Sequence, residues 1–305
     1  MTHHAPRPEA AGSSASPPDD GVPAVRELPR GVGVYGGGRM GAGIAHAFLA
    51  VGCTVVVVES DETAAAAARE RVVGSLRRAD ERGRLASTLE EAAARLTTTQ
   101  RPQELTGLDL VVEAVPEVAD LKREVLERVA SVAPDAWLAT NTSSLSIDRL
   151  AARLPSPERL VGLHFFNPVP ASALVEIVVG PRTAPQLVER ARAWVQGLGK
   201  TAITVRDAPG FASSRLGVAL ALEAMRMVEE GVASAEDIDS AMTLGYRHPT
   251  GPLRTTDLIG LDVRLAIAEH LAAEVGPRFE PPRILREKVA AGELGRKSGR
   301  GFYDW

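Results

Sequence analysis

The chain has 305 residues, one cysteine and a formal net charge of −4. A chain this long buries a large core and divides into two domains, and its mild acidity argues against nucleic acid or an anionic membrane as the main partner. The single thiol, Cys53, permits no internal disulfide, which fits a reducing cytosol, and no apolar run is long enough to span a bilayer.

Residues 1–29 are rich in Ala, Pro, Ser and Asp, and they lack both hydrophobic periodicity and the apolar segment of a secretory signal. They read as a disordered extension, with a docking arm as the alternative. Strand and helix signals then alternate. Gly31 to Tyr35 is a short apolar run ending in glycines, and Arg39 to Val51 has apolar residues at helical spacing. Thr54 to Val58 is β-branched throughout, as a parallel strand buried on both faces requires. Asp61 to Ala79 reads as a helix, Asp109 to Val115 as a buried strand, and Glu117 to Val132 as the helix after it. Ala136 to Ala139 and Leu160 to Leu163 continue the series. Repeated strand–helix–strand units predict an α/β fold with a doubly wound, mostly parallel sheet.

The pattern changes near Asp207-Ala208-Pro209-Gly210, beyond which helices and turns dominate. Phe211 to Gly231 reads as a long helix ending at a C-cap glycine. Ser234 and Asp237 stand at the N-cap and N3 positions of the next helix. The expected division is residues 30–207 for a nucleotide-binding domain and 208–305 for an all-helical domain.

Gly36-Gly37-Gly38-Arg39-Met40-Gly41 contains G-x-G-x-x-G between a strand and a helix. Gly36 permits the tight turn, Gly38 the approach of a pyrophosphate, and Gly41 close packing of helix on strand. Glu59 ends the next strand, where a carboxylate binds a ribose 2′-hydroxyl. Together these predict a Rossmann-type domain that prefers NAD to NADP. Arg39 is solvated, or pairs with a phosphate.

His164 follows one apolar run and Glu176 lies inside another. An imidazole with an unperturbed pKa of roughly 6.5 suits a base for a hydroxyl proton, and a carboxylate in an apolar run needs a partner. Residue chemistry leaves two readings open: a base–carboxylate pair, or a core histidine bonded to backbone carbonyls.

Residues 31–305 resemble the L-3-hydroxyacyl-CoA dehydrogenases, especially the short bacterial 3-hydroxybutyryl-CoA type. The resemblance rests on GGGRMGAG (36–43), DLVVEAVPE (109–117), NTSSL (141–145), GLHFFNPVP (162–170), PGFASSRL (209–216), HPTGPL (248–253), DLIGLD (257–262) and GRKSGRGFY (295–303). It implies NAD-dependent, reversible oxidation of an (S)-3-hydroxyacyl-CoA to the 3-oxoacyl-CoA. His164 then matches the base, Glu176 its carboxylate, and Ser143 the serine that contacts the reacting oxygen. Glu117, Lys122, Asn167 and Lys297 match NAD-contacting positions, and Ser75 and Arg82 match positions that bind CoA. Ser214 replaces the family's substrate-positioning asparagine, Thr250 a methionine, and Arg39 a small or apolar residue. These departures raise the prospect of a substrate more polar than a plain acyl chain. The resemblance also implies a homodimer through the helical domain.

Two other functions compete. The same chemistry on a hydroxyacyl group carried by acyl carrier protein is one, and a non-catalytic binding protein on the same fold is the other. Among the remaining histidines, His46 is expected to pack or face solvent, His248 to be structural, and His3, His4 and His270 to be solvated. No Cys/His spacing predicts a metal.

Overall fold

A computed structural model describes residues 28–305. Most of the expected extension, with His3 and His4, lies outside the described residues.

The first domain is built on one eight-stranded sheet. Its strands are β1 (Gly31–Tyr35), β2 (Thr54–Val58), β3 (Leu96–Thr99), β4 (Leu110–Glu113), β5 (Trp137–Thr140), β6 (Leu160–Phe165), β7 (Leu174–Val179) and β8 (Thr201–Arg206), in spatial order 3-2-1-4-5-6-7-8. Strands β1 to β6 pair in parallel. Strand β7 runs antiparallel to β6, and β8 pairs parallel to β7. Valines crowd β1, β2 and β4 because both faces are covered by helices.

Those helices are α1 (Arg39–Ala50), α2 (Glu62–Asp80), α3 (Leu89–Ala94), α4 (Ala119–Val132), α5 (Ile147–Ala151) and α6 (Pro185–Gly197). Helix α2 begins one residue after Asp61, whose carboxylate caps it by accepting from Ala64 N at 2.8 Å. Two apolar clusters fill the layers on either side of the sheet.

The second domain contains α7 (Ser213–Glu229), α8 (Ala235–Ser240), α9 (Pro252–Ile259), α10 (Leu261–Val275) and α11 (Arg283–Ala290) around a third apolar cluster. Helix α7 starts later than the periodicity suggests, because Gly210 (φ 73°) and Phe211 (φ 50°) both take left-handed backbone conformations. Phe211 keeps that strained conformation with its side chain buried, 5.8 Å from the His164 ring centroid to centroid. At α8 only half of the capping box forms. Ser234 Oγ accepts from Asp237 N, and its hydroxyl donates to the Asp237 carboxylate, which is occupied there instead of reaching back to the N-cap N–H. Asp257, fully buried, accepts from the backbone of Phe302 and Tyr303 and from Trp305 Nε1, which latches the C-terminus onto α9.

Candidate active site

The sequence-predicted nucleotide and reaction residues gather near the carboxyl ends of the parallel strands, where open α/β sheets bind ligands, apart from Lys297 and from Glu176, which comes in from the antiparallel β7. After β1, Gly36 takes φ 97° to turn the chain. A Cβ on Gly41 would lie 1.7 Å from Gly36 O, so only glycine allows α1 to pack this closely. A Cβ on Gly38 would meet nothing within 4 Å, and no side chain caps α1. The start of α1 is therefore open to a pyrophosphate. Glu59, at the end of β2, accepts from Gly37 N at 2.6 Å, which sets its carboxylate beside the glycine turn. These residues fit a dinucleotide.

At the end of β4 lies a buried charge network. Lys122, 1 % exposed, donates from Nζ to Glu113 Oε1 at 2.7 Å and to Val115 O at 3.0 Å, and sits 3.4 Å from Glu117 Oε2. Thr140 Oγ1 donates to the other oxygen of Glu113 at 2.6 Å. A buried ion pair persists when its spare lone pairs and protons are satisfied, as here. Glu117 Oε1 accepts from Thr142 Oγ1 at 2.6 Å and from the backbone N–H groups of Ser143 and Ser144 at 2.8 and 3.1 Å. Burial alone would raise the Glu117 carboxyl pKa. The Lys122 charge and these hydrogen bonds outweigh burial and hold it below the ordinary carboxylate range. Glu117 thus fixes the loop that carries Ser143.

His164 and Glu176 stand directly opposite each other in the antiparallel β6–β7 register. Cross-strand partners of this kind put their side chains on the same face, within reach of one another. His164 Nδ1 lies 2.7 Å from Glu176 Oε2. Glu176 is fully buried and its other contacts come from the second domain: Ser213 Oγ donates to Oε2 at 2.6 Å, and the N–H groups of Ser213 and Ala212 donate to Oε1 at 2.9 and 3.2 Å. Burial would raise this carboxyl as well. The bonds from His164 and Ser213 win and keep it below its ordinary value. An ionised carboxylate only accepts hydrogen bonds, so Nδ1 carries a proton toward Glu176, and in the neutral imidazole the lone pair is then on Nε2. The His164 ring packs against Phe166 at 4.5 Å between centroids.

Two adjoining cavities, of about 450 and 410 Å³, share Ser75, Arg78, Pro168 and Pro170. Their lining includes Arg39, Arg71, Arg78, Arg82, Arg84 and Lys200 against one carboxylate, Glu70. Arg71 Nη1 also donates to Gly37 O at 3.3 Å, so this basic groove reaches the glycine turn. Ser75 and Arg82 line the first cavity, while Arg39 and Asn167 line the second.

Residue matches for this site run through both domains. The family profile for the 3-hydroxyacyl-CoA dehydrogenase NAD binding domain matches residues 31–208, and that for the C-terminal domain matches residues 210–305. The chain belongs to the 3-hydroxyacyl-CoA dehydrogenase family. It is 43% identical over 282 residues to a 3-hydroxybutyryl-CoA dehydrogenase of Mycobacterium tuberculosis, covering 90% of this chain and 98% of that one. A mitochondrial hydroxyacyl-coenzyme A dehydrogenase of Sus scrofa is 37% identical over 292 residues, covering 92% and 93%. The crystal structure of (S)-3-hydroxybutyryl-CoA dehydrogenase from Ralstonia eutropha superposes with a TM-score of 0.87 at 41% identity, covering 91% of this chain and 99% of that one. The NAD-binding domain of this dehydrogenase family is therefore the part that carries the glycine turn and Glu59.

Neither His46 nor His270 lies fully in solvent. His46 is 5 % exposed, in line with the packing reading, and it lines the basic groove with Nδ1 lacking a hydrogen-bond partner among the described residues. His270 is half-buried, in a cavity that also holds Arg123 and Asp207, rather than solvated. Ser213, one residue before Ser214, is the serine that bonds Glu176. Lys297 lies on the second domain, where its Nζ pairs with Asp262 Oδ2 at 2.6 Å. Sequence reasoning also missed Glu113 and Asn141, whose Oδ1 accepts from Phe165 N at 2.9 Å and ties the Ser143 loop to β6. The signal for Glu113 was a carboxylate in an otherwise apolar strand.

Proposed function

We propose that this dehydrogenase oxidises an (S)-3-hydroxyacyl-CoA to the 3-oxoacyl-CoA, reversibly, with His164 as general base. The observation that carries the reading is the 2.7 Å contact from His164 Nδ1 to a buried Glu176 carboxylate. His164 Nε2 takes the hydroxyl proton of the substrate. Glu176 holds the ring in the tautomer that leaves Nε2 free and stabilises the imidazolium that forms. Ser143, whose hydroxyl donates to Glu117 Oε1 at 3.2 Å, turns that proton to the reacting oxygen when substrate binds. The glycine turn and Glu59 would hold NAD, which would supply the acceptor for the hydride leaving C3. Asn167 would line the nicotinamide end, and Glu117, Lys122 and Lys297 are the other residues assigned to NAD, with Lys122, 1 % exposed, acting through the Glu113 and Glu117 carboxylates it holds.

The arginines of the groove favour the CoA ester over an acyl carrier protein ester, because CoA brings a pyrophosphate and a ribose phosphate where the carrier arm brings a single phosphodiester. Ser75 and Arg82 are the residues assigned to that part. Exposed apolar side chains on the second domain, among them Leu216, Leu244 and Tyr246, favour a homodimer through that domain. Sedimentation tests the dimer. A cytosolic enzyme fits the unpaired, buried Cys53.

NADH absorbance with (S)-3-hydroxybutyryl-CoA and NAD tests the reaction. The result expected is thioester-dependent NADH formation that His164→Gln reduces by about 10²–10⁴-fold. Near-normal turnover in that variant removes His164 as the base. Side-by-side kinetics with carrier-bound hydroxyacyl thioesters separates the two carriers.

A further inference from the structure

His46, on α1, lines the larger of the two basic cavities beside Ser75, Arg78, Arg82 and Lys200. It is 5 % exposed, and its Nδ1 is enclosed without a hydrogen-bond partner. No hydrogen bond to its Nε2 forms among the described residues either. Burial, with the charges of Lys200 and Arg78, lowers its pKa to about 4, so the imidazole is neutral at pH 7. A neutral imidazole carries one N–H and one lone pair. Beside these cations the lone pair is the better group to enclose, and an enclosed N–H without an acceptor is the rarer defect in folded proteins. That leaves the proton on Nε2, and His46 offers the cavity an uncharged donor.

The loop that leaves β6 ties this wall to the reacting pair. Asn167, three residues after His164, lines the second cavity, and Pro168 and Pro170 line both. Helix α1 packs tightly on the same loop. A Cβ on Gly43, about one turn before His46, would lie 2.8 Å from Val169 Cβ. Lys200 also holds the loop, donating from Nζ to Val169 O at 2.7 Å and to Ser172 O, so most of its donors are spent inside the protein. No ion pair to Arg78, Arg82 or Arg84 forms among the described residues, and these guanidinium groups suit phosphates. A CoA ester presents phosphates at one end, its thioester at the other, and amide carbonyls on the pantetheine arm between them. His46 supplies the uncharged donor that such an arm needs, against the loop that leads back to His164.

We propose that His46 binds the substrate directly, its Nε2–H donating to an amide carbonyl of the pantetheine arm while the arginines take the phosphates. This rests on the reading of the groove as the CoA site. It divides the groove into a part that reads the arm and a part that reads the phosphates, and fragments of CoA separate the two.

Calorimetric titration with butyryl-CoA, S-butyrylpantetheine and 3′,5′-ADP reads the whole carrier, the arm and the phosphate end in turn. Saturating NAD keeps the adenine nucleotide off the glycine turn. His46→Leu should weaken both esters alike, by about five- to tenfold, and leave 3′,5′-ADP within about twofold, as the loss of one hydrogen bond to the arm requires. His46→Gln keeps an N–H donor and should recover most of the loss. Thermal unfolding at pH 7.5 gives a readout that a purely structural role would move the other way. His46→Leu replaces an unpartnered polar ring with an apolar side chain, so it should unfold no lower than the unmodified protein. His46→Phe serves the same test if the leucine variant does not fold. KM for (S)-3-hydroxybutyryl-CoA should rise by the factor seen in binding. Unchanged affinity for the two esters in a folded apolar variant overturns the proposal. So does an equal loss for 3′,5′-ADP, or a loss that glutamine does not recover. An unmodified protein that binds none of the three refutes the CoA reading of the groove and the proposal with it, whereas tight CoA binding indifferent to His46 refutes the proposal alone.

Discussion

Glu176→Gln isolates the proposed role of the carboxylate from its role in the fold. The glutamine oxygen can take the Oε1 position, where it still accepts from Ser213 N and Ala212 N, now at 2.9 and 3.2 Å. The amide nitrogen then occupies the Oε2 position and points two donors at His164 Nδ1 and Ser213 Oγ, both of which can accept. Every buried polar atom keeps a partner, so stability should change by less than about 1.5 kcal/mol. The imidazole, however, must offer a lone pair at Nδ1 and so carries its proton on Nε2. In that tautomer it cannot take the substrate proton, and the imidazolium formed in turnover loses its counter-charge. The expected loss in kcat is about 10³–10⁴-fold, or roughly 4–5.5 kcal/mol of barrier. Stopped-flow NADH formation with saturating (S)-3-hydroxybutyryl-CoA measures it, alongside NAD affinity by fluorescence titration and thermal unfolding. NAD affinity should hold within about threefold. A variant that folds, binds NAD and keeps more than a tenth of normal turnover refutes the tautomer argument.

Other outcomes follow from the same geometry. Gly41→Ala places a Cβ 1.7 Å from Gly36 O, so α1 must move and the NAD dissociation constant should rise at least about tenfold; unchanged affinity by titration excludes the glycine turn as the pyrophosphate site. Arg82→Glu should raise KM about tenfold for CoA esters at low salt and far less for the matching pantetheine ester, which lacks the nucleotide phosphates. Burial, with the charges of Lys200 and Arg78, lowers the His46 pKa from 6.5 to about 4. The unfolded chain therefore binds more protons between those values, and stability falls as pH drops from 6.5 towards 4, by about 2 kcal/mol at pH 5. Urea unfolding of His46→Gln at pH 5 and 7.5 should lack that share of the decline, and parallel pH profiles for the two proteins would contradict it.

The first half of the fold was legible because buried parallel strands announce themselves. Val55 to Val58 leaves no polar face to misread, and Asp61 marks where α2 begins. Strand β3 was not legible, since Leu96-Thr97-Thr98-Thr99 is short, polar and at the edge of the sheet. The glycine turn and Glu59 could be found from spacing, which local backbone demands fix. The partnership of His164 with Glu176 could not be settled that way. It depends on β7 returning antiparallel after a chain of parallel strands, and one residue of slip in that register would point the two side chains to opposite faces. The place of His46 in the groove escaped for a related reason. It is an ordinary helix residue in sequence, and only packing takes away its solvent and its partners.

Ser213 is the most consequential residue that the sequence reading passed over. Ser214 replaces the expected asparagine, and no hydrogen bond of its side chain forms among the described residues. Ser213 and the backbone beside it instead supply three of the four hydrogen bonds that reach Glu176. Those donors stand at the start of α7, where free N–H groups favour a negative charge, directly after the left-handed turn at Gly210 and Phe211. The charge state of Glu176 is therefore held by His164 together with donors from the second domain, although the residue itself belongs to the sheet of the first. A change that rotates α7 away from β7 removes those donors, and burial then favours the neutral carboxylic acid. A neutral Glu176 no longer dictates the His164 tautomer. Docking of the helical domain is on this argument part of what makes His164 a base, beyond any contact that domain makes with the acyl chain.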